Sequence, residues 1–193
     1  FPKVLGLLEQ ISAKYFYYGH YSYFKVMDDL GRRMTRVLEV ERLSSVLIGT
    51  LAESLRIENM AIILKNHDGL WHCAKNLGLD SLILNVIVKN ESLSYFLEQS
   101  CDILVAEELT QAIEKKRNND YEKNKLIELR ETLSAGKIKV CLPLMIDNRL
   151  IGMVLIGEKL TRDSYSTQDL NLLSTVASQM SLAFNSAVKN SAS

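Results

Sequence analysis

The sequence predicts an α+β domain in which an antiparallel sheet packs on helices, and three observations lead there. Two stretches, "NMAIILKNHDGLWHCAKN" and "KVCLPLMIDNRLIGMVLIGEK", each join two short apolar runs through a polar turn, which is a hairpin signal. Segments with helical apolar spacing stand before the first hairpin and after the second. No apolar run passes through a Gly-rich turn into a helix, so neither GxGxxG nor GxxxxGKS/T occurs, and the dinucleotide and P-loop folds are excluded.

Taken in chain order, residues 3–18 ("KVLGLLEQISAKYFYY") read as a short helix running into the aromatic stretch "YFYYGHYSYF". Aromatics alone do not make a base-stacking platform, because such a surface also needs cations and only Lys14 and Lys25 flank it. The stretch reads instead as a packed or dimer-facing elbow. Leu30, Met34, Val37 and Leu38 mark one helix, and Leu43, Val46, Leu47, Leu51 and Leu55 a second one ending near Arg56. The first hairpin follows, with strands at about 60–65 and 70–75 and a turn at His67-Asp68-Gly69.

"LILNVIVKN" reads as a third strand, with a helix as the alternative for its apolar run. Asn90 then opens a short helix through Tyr95, Phe96 and Leu97, and "CDILVAEEL" gives a brief strand and a helix start. Residues 107–133 are the most charged part of the chain. They read as a solvated, mobile helix pair interrupted at Arg117-Asn118-Asn119-Asp120. In the second hairpin Pro143 has no N–H to donate, so its strand should pair on one side only at that point. A last helix runs from Thr167 to about Val188. Ser166 and Asp169 form a capping box at its start, and Leu170, Leu173, Ala177, Met180 and Phe184 make its apolar stripe, a contact for the core, for a dimer or for both.

Composition limits the function. The chain has 193 residues, enough for one ordinary domain with an appendage, and its 23 basic residues balance 23 acidic ones. No global field therefore draws it to nucleic acid or to an anionic membrane. No apolar run approaches the ~20 residues that span a bilayer, so direct membrane insertion is not expected. The chain opens at Phe1-Pro2, with neither an initiator Met nor a signal pattern, and reads as a piece of a longer protein. Cys73, Cys101 and Cys141 are widely spaced, and His20, His67 and His72 do not fall at ligand spacing. Neither a metal site nor a disulfide framework is expected; three buried free thiols are.

The stretch "CLPLMIDNRLIGMVLIGEKLTRDSYSTQDLNLLSTVASQMSLAFNSA" resembles the C-terminal half of a GAF domain. Pro143, Leu144, Leu150, Ile151, Gly152, Leu155, Gly157, Lys159, Tyr165, Asp169, Leu172, Leu173, Ala177, Gln179, Ala183, Asn185 and Ala187 follow the family's pattern. The resemblance covers about residues 26–188. It implies a sheet packed between helices with the N- and C-terminal helices on one side, a linker helix and aromatic elbow at 1–25, and a downstream linker from 189.

The aromatic turn followed by "DDLGRRMTRVLEVERLSSVL" is similar to the linker before the GAF domain in membrane-anchored bacterial sensor histidine kinases. That similarity implies a non-catalytic sensory module on the cytoplasmic side, tethered to the inner membrane by upstream segments. Its implied partner is a second copy, held through the N- and C-terminal helices. No phosphoacceptor segment or ATP-binding glycine box lies within the chain.

Within the resemblance, cyclic-nucleotide-binding members share an Asn-Lys…Phe-x3-Asp-Glu signature. Lys159 and Asp169 keep two of its positions, Tyr165 replaces Phe, and Glu158 and Leu170 stand where Asn and Glu belong. Cyclic nucleotides are therefore not expected, and Lys159, Asp169 and Ser166 are read as a structural fastening. Tetrapyrrole-binding relatives attach the chromophore through a cysteine, often next to a His; Cys101 has no His near it, and Cys73 follows His72 on a sheet strand instead of a helix, so attachment is not expected. A thiol redox enzyme or sensor of the methionine sulfoxide reductase type is one alternative. A GAF regulatory domain of a cyclic-nucleotide enzyme or transcriptional activator is another. The fold would set a small-molecule pocket between the sheet and the middle helices, with Trp71, Cys73, Tyr95, Phe96 and Cys101 as candidate lining residues. No cofactor is predicted.

Overall fold

The computed structural model describes residues 40–191 apart from 67 and 116–119, with side chains to residue 186. The expected helices at 3–18 and 26–38, the aromatic elbow, His67 of the first turn and most of the break at 117–120 lie outside the described residues.

Helix α1 (Val40–Leu55) is followed by β1 (Met60–Lys65) and β2 (Trp71–Leu77), then α2 (Ser81–Lys89) and α3 (Glu91–Ser100). A two-residue strand β3 (Leu104–Val105) and a short 3-10 turn (Ala106–Glu108) lead into α4 (Leu109–Lys115) and α5 (Asp120–Ala135). Strands β4 (Val140–Ile146) and β5 (Arg149–Ile156) and helix α6 (Thr167–Ser191) complete the chain. The five strands form one antiparallel sheet in the order β2-β1-β5-β4-β3.

Both hairpins form where the apolar runs place them. Asp147 and Asn148 sit at φ 47° and 60°, the left-handed pair that a tight hairpin turn requires and that short polar side chains tolerate. Pro143 pairs with Met153 of β5, while β3 reaches only Val140 and Cys141 on the other edge. The one-sided pairing expected at Pro143 is therefore present.

The sheet is buried on both faces. Toward α1 and α6 it presents Ile62, Leu64, Leu142, Leu144, Val154 and Ile156, which meet Leu47, Leu51, Leu173, Val176, Met180 and Phe184. Toward α2–α5 it presents Ala61, Ile63, Cys141, Met153 and Leu155, packed on Leu84, Ile87, Leu93, Leu97, Leu129 and Leu133. The terminal-side helices α1 and α6 thus share one face, as the resemblance implies. The stripe of α6 from Leu173 to Phe184 is consumed by the core of its own chain.

Three expectations are corrected. Residues 81–89 form α2, not a strand. Asp80 caps that helix by accepting from the N–H groups of Leu82 and Ile83, and Leu84 and Ile87 turn inward together at helical spacing. The charged middle segment is no solvated pair, since Leu109, Ile113, Leu126, Leu129 and Leu133 are buried against the sheet. Of the three thiols only Cys141 is buried; Cys73 lies on the edge strand β2 and Cys101 ends α3 at the surface, and both are exposed.

Candidate ligand cleft and the strand–helix join

The end of β5 comes very close to the link between α1 and β1. The Gly157 N–H donates to the Asn59 carbonyl, the Glu58 N–H to the Glu158 carbonyl, and the Leu160 N–H to the Arg56 carbonyl. A Cβ at residue 157 would stand 1.3 Å from Asn59 Oδ1, and one at residue 152 only 2.6 Å from Leu64 Cδ2. Both glycines of "LIGMVLIG" are therefore set by space, because neighbouring atoms already occupy the volume of a methyl group.

From this point the chain turns into α6 through a closed polar ring. Lys159 Nζ lies 2.6 Å from Asp169 Oδ2. The same oxygen accepts from the Ser166 N–H at 2.7 Å and the Ser166 hydroxyl at 2.8 Å, while the Asp169 N–H donates back to Ser166 Oγ at 3.2 Å. This is a capping box with a lysine added, and it neutralises an acid placed at the positive end of a helix. Burial alone would raise the Asp169 pKa, but the hydrogen bonds from Lys159 and Ser166 outweigh it and hold the carboxyl below its ordinary value. Tyr165 donates its hydroxyl to the Gly157 carbonyl at 2.8 Å, and its ring lies under Lys159 Nζ at 5.0 Å. Burial, then the Asp169 charge, push the phenol pKa up, so it stays a donor. Glu158 faces Lys139 at 3.4 Å instead of this ring, and Leu170 packs against the α1/α6 core.

Of the five candidate lining residues, Trp71 and Cys73 stand on β2, Tyr95 and Phe96 on α3, and Cys101 at the end of α3. Trp71 is half-buried, with Lys65 Nζ 4.6 Å above its ring, and Lys65 also pairs with Glu98 of α3 at 3.3 Å. Cys73 stands opposite Ile63, and partial burial of its thiol pushes the pKa up, offset in part by a backbone hydrogen bond from Lys75. Tyr95 is half-exposed; it meets Phe96 edge-on at 5.7 Å, and Lys125 stands over its ring at 5.3 Å. Phe96 packs against the α2–α5 core. Cys101 adopts the left-handed conformation that ends α3, with its thiol donating to the Glu98 carbonyl at 3.2 Å. Cys141 is fully buried and desolvation drives its thiol pKa far up, which makes it unreactive. Among the described residues no group of three or more His, Cys, Asp or Glu side chains could hold a metal ion.

A cleft of about 370 Å³ opens elsewhere, between α6 and the outer edge of β4. Cys101, Asp102 and Ile103 form one wall, Pro143 and Met145–Asp147 the floor, and residues of α6 between Ser174 and Leu182 the other wall. Of the five candidates only Cys101 lines it. The sequence signal for this place was Pro143, which bars a further strand from continuing along β4 there.

The sequence profile of the GAF domain matches residues 39–184. A search of curated proteins finds no match. Among solved structures, the chain is similar to the GAF domain of a phosphoenolpyruvate-protein phosphotransferase from Coxiella burnetii, at TM-score 0.60 and 13% identity, covering 89% of this chain and 98% of that one. It is similar to the GAF domain of a protein assigned as a sensor histidine kinase in Pseudomonas syringae pv. tomato, at TM-score 0.60 and 9% identity over 93% and 98% of the two chains. A methyl-accepting chemotaxis protein, residues 122 to 287, matches at TM-score 0.58 and 12% identity over 82% and 96%.

Proposed function

Because the chain belongs to the GAF domain family, whose profile takes in residues 39–184, we propose that it is a non-catalytic sensory module of a bacterial signal-transduction protein, a sensor histidine kinase tethered to the inner membrane. One observation carries the reading. Helix α6 is 25 residues long, is fixed at its start by the Lys159–Asp169–Ser166 ring, and lies on the same sheet face as α1. A change in the sheet would therefore be felt by both terminal-side helices together, and small shifts of packed helices are one known way of passing such a change on. The solved relatives with this fold include proteins of kinase and chemotaxis signalling, which is consistent with that role. No helix among the described residues is long and apolar enough to cross a membrane, so a tether would have to come from other segments.

The module works as a homodimer through its N- and C-terminal helices. Because the inner stripe of α6 is already buried in its own core, the dimer contact falls on other sides of the terminal helices. Sedimentation equilibrium is expected to show a dimer, and a monomer at high micromolar concentration would overturn that part. For sensing, a thermal-shift screen of nucleotides, haem, bilins and small metabolites is followed by amide chemical shifts. At least one class should raise the melting temperature and move amides along α6. A ligand that stabilises the chain while α6 stays unmoved would sink the transmission mechanism.

A further inference from the structure

We propose that the cleft between α6 and the open edge of β4 binds a small organic cation, an amine carrying an apolar body. The cleft exists for structural reasons. Strand β3 is only two residues long and pairs with Val140 and Cys141, so the edge of β4 from 142 to 146 has no strand partner among the described residues. Pro143 removes an N–H from that edge. Across from it, α6 offers Ser174, Ala177, Ser178 and Ser181, all too short to fill the gap. The hydroxyls of Ser178 and Ser181 already donate to the carbonyls of Ser174 and Ala177, so they add little polarity of their own.

Size and chemistry then select the ligand. About 370 Å³ lies at the small end of the range for organic ligands. Ile103, Pro143, Met145 and Leu182 give an apolar surface to an apolar body. Asp102 and Asp147 are the charged side chains of the lining, and no Lys, Arg or His stands among the lining residues to neutralise them. Asp102 spends one oxygen on the Ile103 N–H at 2.7 Å, which orients the carboxylate. An ammonium group donates a charge-assisted hydrogen bond to such a carboxylate, whereas an anion would meet repulsion from Asp102 on one wall and Asp147 on the floor. The ligand would touch α6 and the α3–β3 link at once. The site goes beyond the sensory reading and does not depend on it, since binding is measured directly.

The probe is phenethylamine, titrated into the full chain and followed by amide chemical shifts, with phenethyl alcohol and phenylacetate as neutral and anionic counterparts. Saturable shifts are expected at Ile103, Met145, Asp147 and Ser178, at least tenfold weaker for the alcohol and absent for phenylacetate. The double variant Asp102→Asn/Asp147→Asn should bind the amine about tenfold more weakly. Ser178→Trp, at an exposed helix position, should fill the cleft and abolish binding with the melting temperature unchanged; it decides the question if the double variant does not fold. Absence of saturable shifts at millimolar amine, equal binding of the alcohol, shifts centred elsewhere, or full binding by Ser178→Trp would each overturn the proposal.

Discussion

Asp169 does two jobs with one carboxylate: it closes the N-terminal turn of α6 and holds Lys159 at the end of the last strand. Both side chains are nearly buried, at 11% and 13% exposure, so the pair is stronger than a surface ion pair and leaves an uncompensated charge if one partner is lost. Asp169→Asn should lower stability at pH 7 by about 2 kcal/mol. The pH dependence follows from the depressed folded pKa. The stabilisation is full above the ordinary carboxyl value and disappears as pH falls through the lower folded value. Urea unfolding of both proteins from pH 7 to pH 3 should therefore show the gap closing only below about pH 4; a gap independent of pH would mean that the charge is not what the fold uses. The Ser166–Asp169 spacing was legible in the sequence because a capping box is local. The Asn59 amide lying over Gly157 was not, since nothing local in "ENMAIIL" says which distant backbone it will meet.

Among the elements, α2 shows why an apolar run can be misread. Leu82 and Val86 point to solvent at 77% and 58% exposure, while Leu84 and Ile87 are buried. Apolar residues on both sides blur the helical period, and the β-branched side chains then favour a strand reading. The decisive signal stood one residue earlier, at Asp80, whose carboxylate accepts from two N–H groups of the first turn. Asp80→Ala should cost about 1 kcal/mol in urea unfolding, and Asp80→Asn far less, because the amide oxygen still accepts. Equal stability of all three proteins would show that packing on α5 alone holds the helix. In α5 the opposite masking occurred. Leu126, Leu129 and Leu133 recur at core spacing, but the surrounding charges hid how completely they are buried.

At the scale of the molecule, a single sheet separates two cores, so the central strands read as unbroken apolar runs (Ile62-Ile63-Leu64, Met153 to Ile156) and not as alternation. The hairpins within that sheet were legible because each is joined by a short turn. The strand order was not, because β1 meets β5 across most of the chain and no local pattern encodes that pairing. The arrangement has a consequence for cooperativity. Strand β4 serves both cores, and its Cys141 can be reached only by opening the sheet. Thiol labelling with a disulfide reagent near neutral pH should modify Cys101 and Cys73 in the native protein, Cys101 faster because partial burial raises the Cys73 thiol. Cys141 should stay protected until the sheet unfolds. Since the two cores share every buried strand, they should melt as one unit, and Cys141 protection should vanish at the urea midpoint seen by circular dichroism. Labelling of Cys141 well below that midpoint would show that one helical layer peels from the sheet on its own, and the two cores would then be separate cooperative units.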